Sequence, residues 1–163
     1  MERHTNFHLQ VIGLGQEWRG DDAAGLLVAR RLRQLAGSRV TILENSGSVS
    51  DLLVAWQEGA AVILVDAVRG GGRPGEIYRF PVHERPLPAD LFPATSTHAW
   101  GVAQAVALGR VLGALPPYLV VYGIEGRNFG LEQKPSLEVA QAIPEAAWRI
   151  RREIEAYLAG AQI

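Results

Sequence analysis

The chain has 163 residues and a formal net charge of −1 at pH 7, and 48% of its residues are hydrophobic. This length is enough to bury a proper core, so we expect a single domain over residues 1–163. The near balance of 16 basic and 17 acidic residues argues against binding to nucleic acid or to a membrane surface. The absence of cysteine excludes disulfides, thiolate metal sites and cysteine nucleophiles.

The sequence shows no membrane or export signal. No apolar run reaches the roughly 20 residues that a membrane span requires. The segment from Met1 to His8 lacks the apolar region of a secretory signal, so we expect a cytoplasmic protein. A small domain with balanced charge is compatible with a monomer, which is the state we expect.

Predicted strands and helices alternate along the chain. Strands are expected where apolar residues run together, and helices where apolar residues recur with helical spacing. In chain order we predict a strand over 8–14, a helix over 22–36 capped by Gly37, strand 40–43, helix 51–58, strand 61–65, strand 76–80, helix 97–112, strand 118–124 and helical structure to about residue 158, which Pro144 either kinks or divides.

The pattern of these elements indicates an α/β protein. The all-apolar runs at 61–65 and 118–124 are typical of strands covered on both faces, whereas residues 76–80 alternate like an edge strand. We therefore predict a three-layer α/β/α sandwich around a mostly parallel, twisted sheet of about five strands, with one antiparallel edge strand.

The loop after the first strand has the glycine spacing of a phosphate-binding loop but the opposite charge. Gly15 and Gly20 are spaced as in a Walker A loop, yet Asp21 and Asp22 stand where lysine and serine or threonine are needed. Two carboxylates repel phosphate and attract a metal cation or a proton. Trp18 also occupies the third glycine position of a dinucleotide-binding motif, which argues against a nucleotide site.

Acidic residues are predicted to meet at one edge of the sheet, because the carboxyl ends of parallel strands lie together. The residues concerned are Glu17, Asp21 and Asp22 in the first loop, and Glu44, Asp66 and Glu125 at strand ends. Carboxylates this close to one another cost stability unless a cation, a proton or an arginine compensates them. This edge is therefore the predicted functional site.

Three residues are the main candidates for chemistry. One of Asp21 and Asp22 is expected to cap the first helix, which leaves Asp22 to face the crevice. Asp66 either caps a loop or points into the mouth of the crevice, and the second interpretation makes it functional. His98 is either an ordinary residue at a helix start or a metal ligand that completes a set with the two carboxylates.

Two further acids have supporting roles in this hypothesis. Glu44 is expected to orient the site residues without itself binding the metal. Glu125 is expected to pair with Arg127 or Arg19. The serines lack the Gly-x-Ser-x-Gly motif, so a serine hydrolase of that type is not expected.

Four segments of the chain resemble the [NiFe]-hydrogenase maturation proteases, also called hydrogenase maturation endopeptidases. These segments are Gly13–Gly25, Ile63–Val68, Ser96–Gly101 and Val121–Gly126. In that family an acid of the Gly-Asp-(Asp/Glu) motif, the aspartate of the Val-Asp strand and the histidine of the Ser-x-His motif bind nickel. The resemblance assigns these roles to Asp22, Asp66 and His98, whereas Glu44 and Gln16 stand where aspartate and asparagine are common.

The resemblance implies an endopeptidase, aspartic-type by family convention, that removes the C-terminal extension of a [NiFe]-hydrogenase large-subunit precursor after nickel insertion. The catalytic residues would be Asp22, Asp66 and His98. The nickel would be carried by the substrate rather than permanently bound, and either this nickel or a carboxylate would activate water.

Three alternatives remain open at the level of sequence. The first is a resident-metal amidohydrolase that holds zinc or manganese. The second is a non-enzymatic binding partner of the large subunit. The third is an acid-dyad peptidase that uses Asp22 and Asp66 without a metal.

Overall fold

The computed structural model describes residues 8–57, 61–88, 91 and 99–160. The strands are β1 (Leu9–Leu14), β2 (Val40–Asn45), β3 (Ala61–Val68), β4 (Ile77–Pro81) and β5 (Tyr118–Glu125). The α-helices are α1 (Ala24–Leu32), α2 (Val49–Trp56), α3 (Ala99–Val111) and α4 (Leu137–Leu158). Short 3₁₀ turns over 20–23 and 33–35 flank α1.

The five strands form one sheet in the order β2-β1-β3-β5-β4. The first three pairings are parallel, and β4 pairs with β5 in the antiparallel direction at the edge of the sheet. One buried cluster joins α1 and α4 to one face of the sheet, and a second joins α2 and α3 to the other. The predicted three-layer α/β/α sandwich with an antiparallel edge strand is confirmed.

The central strand β3 is buried along its whole length because helices cover both faces of the sheet. Each fully buried side chain of this strand, such as Ile63 or Leu64, contributes roughly 1.5–3 kcal/mol to stability. Among the helices in the described ranges, none combines the length and apolarity that a membrane crossing requires.

The bounds of β3 and of α1 differ from the sequence prediction. Strand β3 continues to Val68, so Asp66 lies inside the strand and not after it. The strand continues because its partner β5 runs to Glu125, which pairs with Val68. Helix α1 begins at Ala24 after a 3₁₀ turn and ends at Leu32, so Gly37 does not cap it. The predicted helix end at 58 and helix start at 97 lie outside the described residues.

Helix α4 is continuous through Pro144, so it is not divided into two helices. Pro144 lies on the exposed side of the helix, where a missing backbone hydrogen bond is tolerated. The buried side chains of Ile143 and Ala147 pack against the core on either side of it. Burial of this apolar stripe therefore outweighs the local cost of proline.

A buried polar network joins α4 to the edge of the sheet. Glu153 accepts hydrogen bonds from the guanidinium of Arg79, at 3.0 Å from Nε, and from the hydroxyls of Tyr118 and Tyr122. Burial alone would raise the pKa of Glu153, but these hydrogen bonds outweigh it and lower the pKa. The negative charge of Glu153 therefore stabilises the fold.

The variant Glu153→Gln is expected to lose about 2 kcal/mol of unfolding free energy at pH 7, because Arg79 loses its counterion while part of it stays in contact with water. Because the pKa of Glu153 is lower in the folded state, its ionised side chain stabilises the fold fully at pH values above the ordinary glutamate pKa. This contribution is lost as the pH falls through the lowered pKa. Urea unfolding at pH 7 and pH 4 should show the difference shrinking in acid. Glu155→Gln, in an exposed pair with Arg151, is the matched control and should cost under about 0.5 kcal/mol.

Candidate active site

The carboxyl ends of β1 and β3 lie side by side in the sheet, where its topology predicts a crevice. Helix α1 follows β1 and packs with one buried cluster, whereas α3, which lies between β4 and β5 in the chain, packs with the other cluster on the opposite face. Ligands of open α/β sheets bind at such a point.

Close backbone packing brings the first helix onto this edge. A Cβ atom on Gly25 would lie 2.2 Å from the carbonyl oxygen of Val65 and 2.3 Å from that of Leu14, so only glycine allows the approach. A Cβ atom on Gly15 would lie 1.9 Å from the carbonyl oxygen of Asp22. These glycines hold the loop after β1 against the ends of β1 and β3.

Asp22 lies in the 3₁₀ turn before α1 and is buried, with 6% of the residue exposed. Its Oδ2 accepts a hydrogen bond of 3.0 Å from the backbone N–H of Gln16, so the carboxylate folds back over its own loop. Neither Asp21 nor Asp22 caps the N-terminus of α1 through its side chain, because the N-cap residue of this helix is Ala23. The capping expectation is therefore wrong.

Asp66 is fully buried, and neither of its carboxylate oxygens has a hydrogen bond of good geometry with any described residue. Burial raises the pKa of Asp66 well above its usual range, and the nearby charge of Asp22 raises it further. The backbone N–H of Ala67 opposes this rise only in part. An unpaired buried carboxylate is costly, so this position calls for a proton or a cation.

Arg30 of α1 and Arg33 of the following 3₁₀ turn neutralise two of the acids expected at this edge. The Nη1 atom of Arg30 lies 2.7 Å from Oε1 of Glu17, and this hydrogen bond lowers the pKa of Glu17. Arg30 also donates to Glu44 at 2.9 Å from Nε, and Arg33 forms a second ion pair with Glu44. Among the described contacts, Glu44 is engaged with α1 and not with Asp22 or Asp66.

The charge of Asp21 is compensated by hydrogen-bond donors in the loop between β5 and α4. Its carboxylate accepts hydrogen bonds from the backbone N–H groups of Arg127, Asn128 and Ser136, at 2.7, 2.8 and 2.6 Å. The hydroxyl of Ser136 donates a fourth bond at 3.0 Å. We call this set of four hydrogen bonds the Asp21 clamp.

Glu125 is buried at the end of β5 and accepts a hydrogen bond of 2.9 Å from the backbone N–H of Gly70. The expected pairing of Glu125 with Arg127 or Arg19 is wrong, because Arg127 pairs with Glu138 and Arg19 donates to Gln16. Gly70 follows β3, so Glu125 fixes the chain as it leaves the central strand.

His98 lies outside the described residues, so its role as a ligand stays a prediction. Helix α3 begins at the next residue, and a Cβ atom on Gly101 would lie 1.9 Å from the carbonyl oxygen of Gly47. Gly47 follows the end of β2, which places the start of α3 at the same edge of the sheet as Asp22 and Asp66. Within the described ranges, no three acidic or histidine side chains form a group that could hold a metal ion.

The sequence is significantly similar to one protein family. The family model of hydrogenase maturation proteases matches residues 27–153 of this chain. No curated protein sequence gives a significant match.

Solved structures of hydrogenase maturation peptidases share this fold. The hydrogenase maturating endopeptidase HybD from E. coli is 22% identical, with a TM-score of 0.79 over 91% of this chain and 92% of its own. The [NiFe] hydrogenase maturation protease HycI from Thermococcus kodakarensis KOD1 is 28% identical, with a TM-score of 0.67 over 91% and 93% of the two chains. Since the family model spans most of the sequence, the chain belongs to the hydrogenase maturation protease family.

Proposed function

We propose that this chain removes the C-terminal extension of a [NiFe]-hydrogenase large-subunit precursor after nickel insertion, and that it recognises the nickel carried by that precursor. Membership of the family supports the peptidase activity. The observation that carries the finer proposal is Asp66, a fully buried carboxylate without a hydrogen-bond partner among the described residues.

A cation in the substrate would satisfy this site. Of the carboxylates at the edge, Glu17, Glu44, Asp21 and Glu125 are compensated by arginines or backbone N–H groups. Asp66 has no such partner among the described residues, and burial together with the charge of Asp22 raises its pKa, so this position takes up either a proton or a cation. Two carboxylates and the imidazole of His98 form a donor set that suits nickel. Such a set leaves coordination positions open for ligands from the precursor, as a nickel carried by the substrate requires.

The chemistry proposed for the bound complex uses the same residues. Asp22, Asp66 and His98 contact the nickel of the precursor and thereby test whether insertion has taken place. The nearby positive charge would favour the ionised form of Asp66, because an opposite charge lowers a carboxyl pKa. A carboxylate acts as general base toward water, and the nickel supplies Lewis acidity to the scissile carbonyl.

An acid-dyad peptidase without metal is a second candidate, and the charge coupling between Asp22 and Asp66 favours it. Two neighbouring carboxyl groups that share one proton can activate water directly. This mechanism predicts cleavage that survives chelation and has an acidic optimum.

Cleavage of matched precursors tests the proposal. We expect the purified protein to remove the C-terminal extension of the nickel-loaded large-subunit precursor and to leave the nickel-free precursor intact, as measured by mass spectrometry. Each large subunit made by the organism should be tested, since one cognate partner is expected.

The other outcomes identify the alternatives. Cleavage of both precursors with an acidic optimum would support the dyad. Binding without cleavage of any precursor would identify a non-enzymatic partner. Stoichiometric zinc or manganese in the purified protein would favour the resident-metal amidohydrolase.

A further inference from the structure

Two large apolar side chains are exposed on neighbouring loops beside the candidate site. Trp18, in the loop between β1 and α1, is 73% exposed, and Leu131, in the loop between β5 and α4, is 69% exposed. A single exposed apolar residue needs no explanation. Trp18 and Leu131 lie on loops whose backbones are hydrogen-bonded to each other, and we call this pair of side chains the Trp18–Leu131 rim.

The two loops form one rigid unit. Arg19 and Gln133 pair as an isolated parallel bridge, and the backbone N–H of Gly20 donates to the carbonyl of Gln133 at 3.0 Å. The Asp21 clamp adds four hydrogen bonds directly after this bridge. A Cβ atom on Gly20 would lie 2.3 Å from the carbonyl oxygen of Asn128, so the loops are in close contact.

The backbone of this rim is unusual for the residues it contains. Trp18 has a φ of 66° and Glu132, next to Leu131, a φ of 57°; in the described part of the chain these are the non-glycine residues with positive φ. A bulky residue in this conformation costs free energy that glycine would avoid. Since the indole is exposed, burial does not repay this cost, and stability alone does not explain tryptophan at this position.

The rim is joined to Asp22 through a single loop. Trp18 and Asp22 lie in the same short loop, in which the backbone N–H of Gln16 donates to Asp22. A chain segment that contacts Trp18 is therefore held beside the site. Tryptophan is enriched among the residues that contribute most binding energy at protein interfaces, and a rigid loop limits the entropy lost on binding.

We propose that the Trp18–Leu131 rim binds an apolar side chain of the precursor polypeptide next to its scissile bond, an inference that rests on the proposed function. The charge of Glu17, the residue before Trp18, is neutralised by Arg30. A second copy of the chain is a poorer occupant. Two side chains offer roughly 300 Å², whereas a stable interface buries roughly 1,200–2,000 Å².

The variants Trp18→Gly and Leu131→Ala test the rim against the nickel-loaded precursor. We expect each to raise KM at least about tenfold with kcat changed less than about threefold, because the contact holds the substrate and does not touch the reacting atoms. Trp18→Gly should also unfold at a higher temperature than wild type, because glycine relieves the positive φ. A variant that is more stable and yet binds more weakly is not misfolded.

Matched controls are Trp148→Ala and Leu112→Ala, whose side chains are 54% and 63% exposed away from these loops and should leave KM unchanged. Calorimetry of precursor binding in an Asp66→Asn background measures how much the rim contributes to Kd without interference from cleavage. Equal Kd values for this background with and without the added Trp18→Gly change would overturn the rim while leaving wild-type cleavage, and thus the proposed function, intact. Absence of wild-type cleavage with rim-dependent binding would overturn only the proposed function, and absence of any binding would overturn both.

Discussion

Replacing Asp66 by asparagine is expected to reduce kcat/KM for the nickel-loaded precursor by at least about 1,000-fold, equivalent to about 4 kcal/mol in the activation barrier. The amide removes a carboxylate that is proposed to contact the nickel and keeps the size of the side chain. Cleavage should be followed by mass spectrometry of the precursor tail. Glu17→Gln changes a carboxylate of the same edge that Arg30 already neutralises, so it should retain cleavage within about threefold.

The same variant should become relatively more stable as the pH rises. Because the pKa of Asp66 is raised in the folded state, the folded protein binds more protons than the unfolded chain above the ordinary aspartate pKa. Wild-type stability therefore falls, relative to Asp66→Asn, by up to about 1.4 kcal/mol per pH unit until the raised pKa is reached. Urea unfolding between pH 4 and pH 8 measures this difference, and a difference independent of pH would contradict the unpaired state of Asp66.

Replacing Asp21 by asparagine is expected to cost about 3 kcal/mol of unfolding free energy. The carboxylate accepts four hydrogen bonds in the Asp21 clamp. An asparagine has one oxygen acceptor, and its amide group would face backbone N–H donors. Loss of the clamp should also release the loop between β5 and α4 and weaken cleavage, because this loop positions the turn that carries Asp22.

Denaturant unfolding and amide hydrogen exchange measure this effect together. The amides of Arg127 and Asn128 donate to Oδ2 and that of Ser136 donates to Oδ1, so these amides should lose protection as Asp21→Asn, which keeps one oxygen, loosens the clamp. Asp51→Asn, a change at an exposed aspartate, is the matched control and should cost under about 0.5 kcal/mol. Unchanged protection at the three amides would show that the clamp does not hold the loop.

The sheet could be predicted from the sequence because burial on both faces leaves a direct pattern. The all-apolar run that begins at Ala61 indicates a covered strand without reference to any other part of the chain. The C-terminal end of that strand could not be predicted from the apolar pattern. A carboxylate at position 66 resembles a strand end, and only the length of the partner β5 shows that pairing continues to Val68.

The roles of the acids depended on contacts that the sequence does not encode locally. The donors to Asp21 are backbone N–H groups more than a hundred residues away, and every residue type except proline carries such a group. The pairing of Glu44 with Arg30 and Arg33 depends on how α1 packs against β2. The sequence could therefore identify an acidic edge, whereas the structure was needed to separate Asp66 from its compensated neighbours.

Arg30 and Arg33 also bear on how a precursor first meets this edge. Arg30 and Arg33 cancel the charges of Glu17 and Glu44, and the carboxylates of Asp22 and Asp66 are buried. Little uncompensated negative charge from these four acids extends into the solvent, so their field contributes little attraction or repulsion beyond a Debye length, about 8 Å at physiological ionic strength. Discrimination between precursors then arises after collision, through their dissociation rates and not through their association rates.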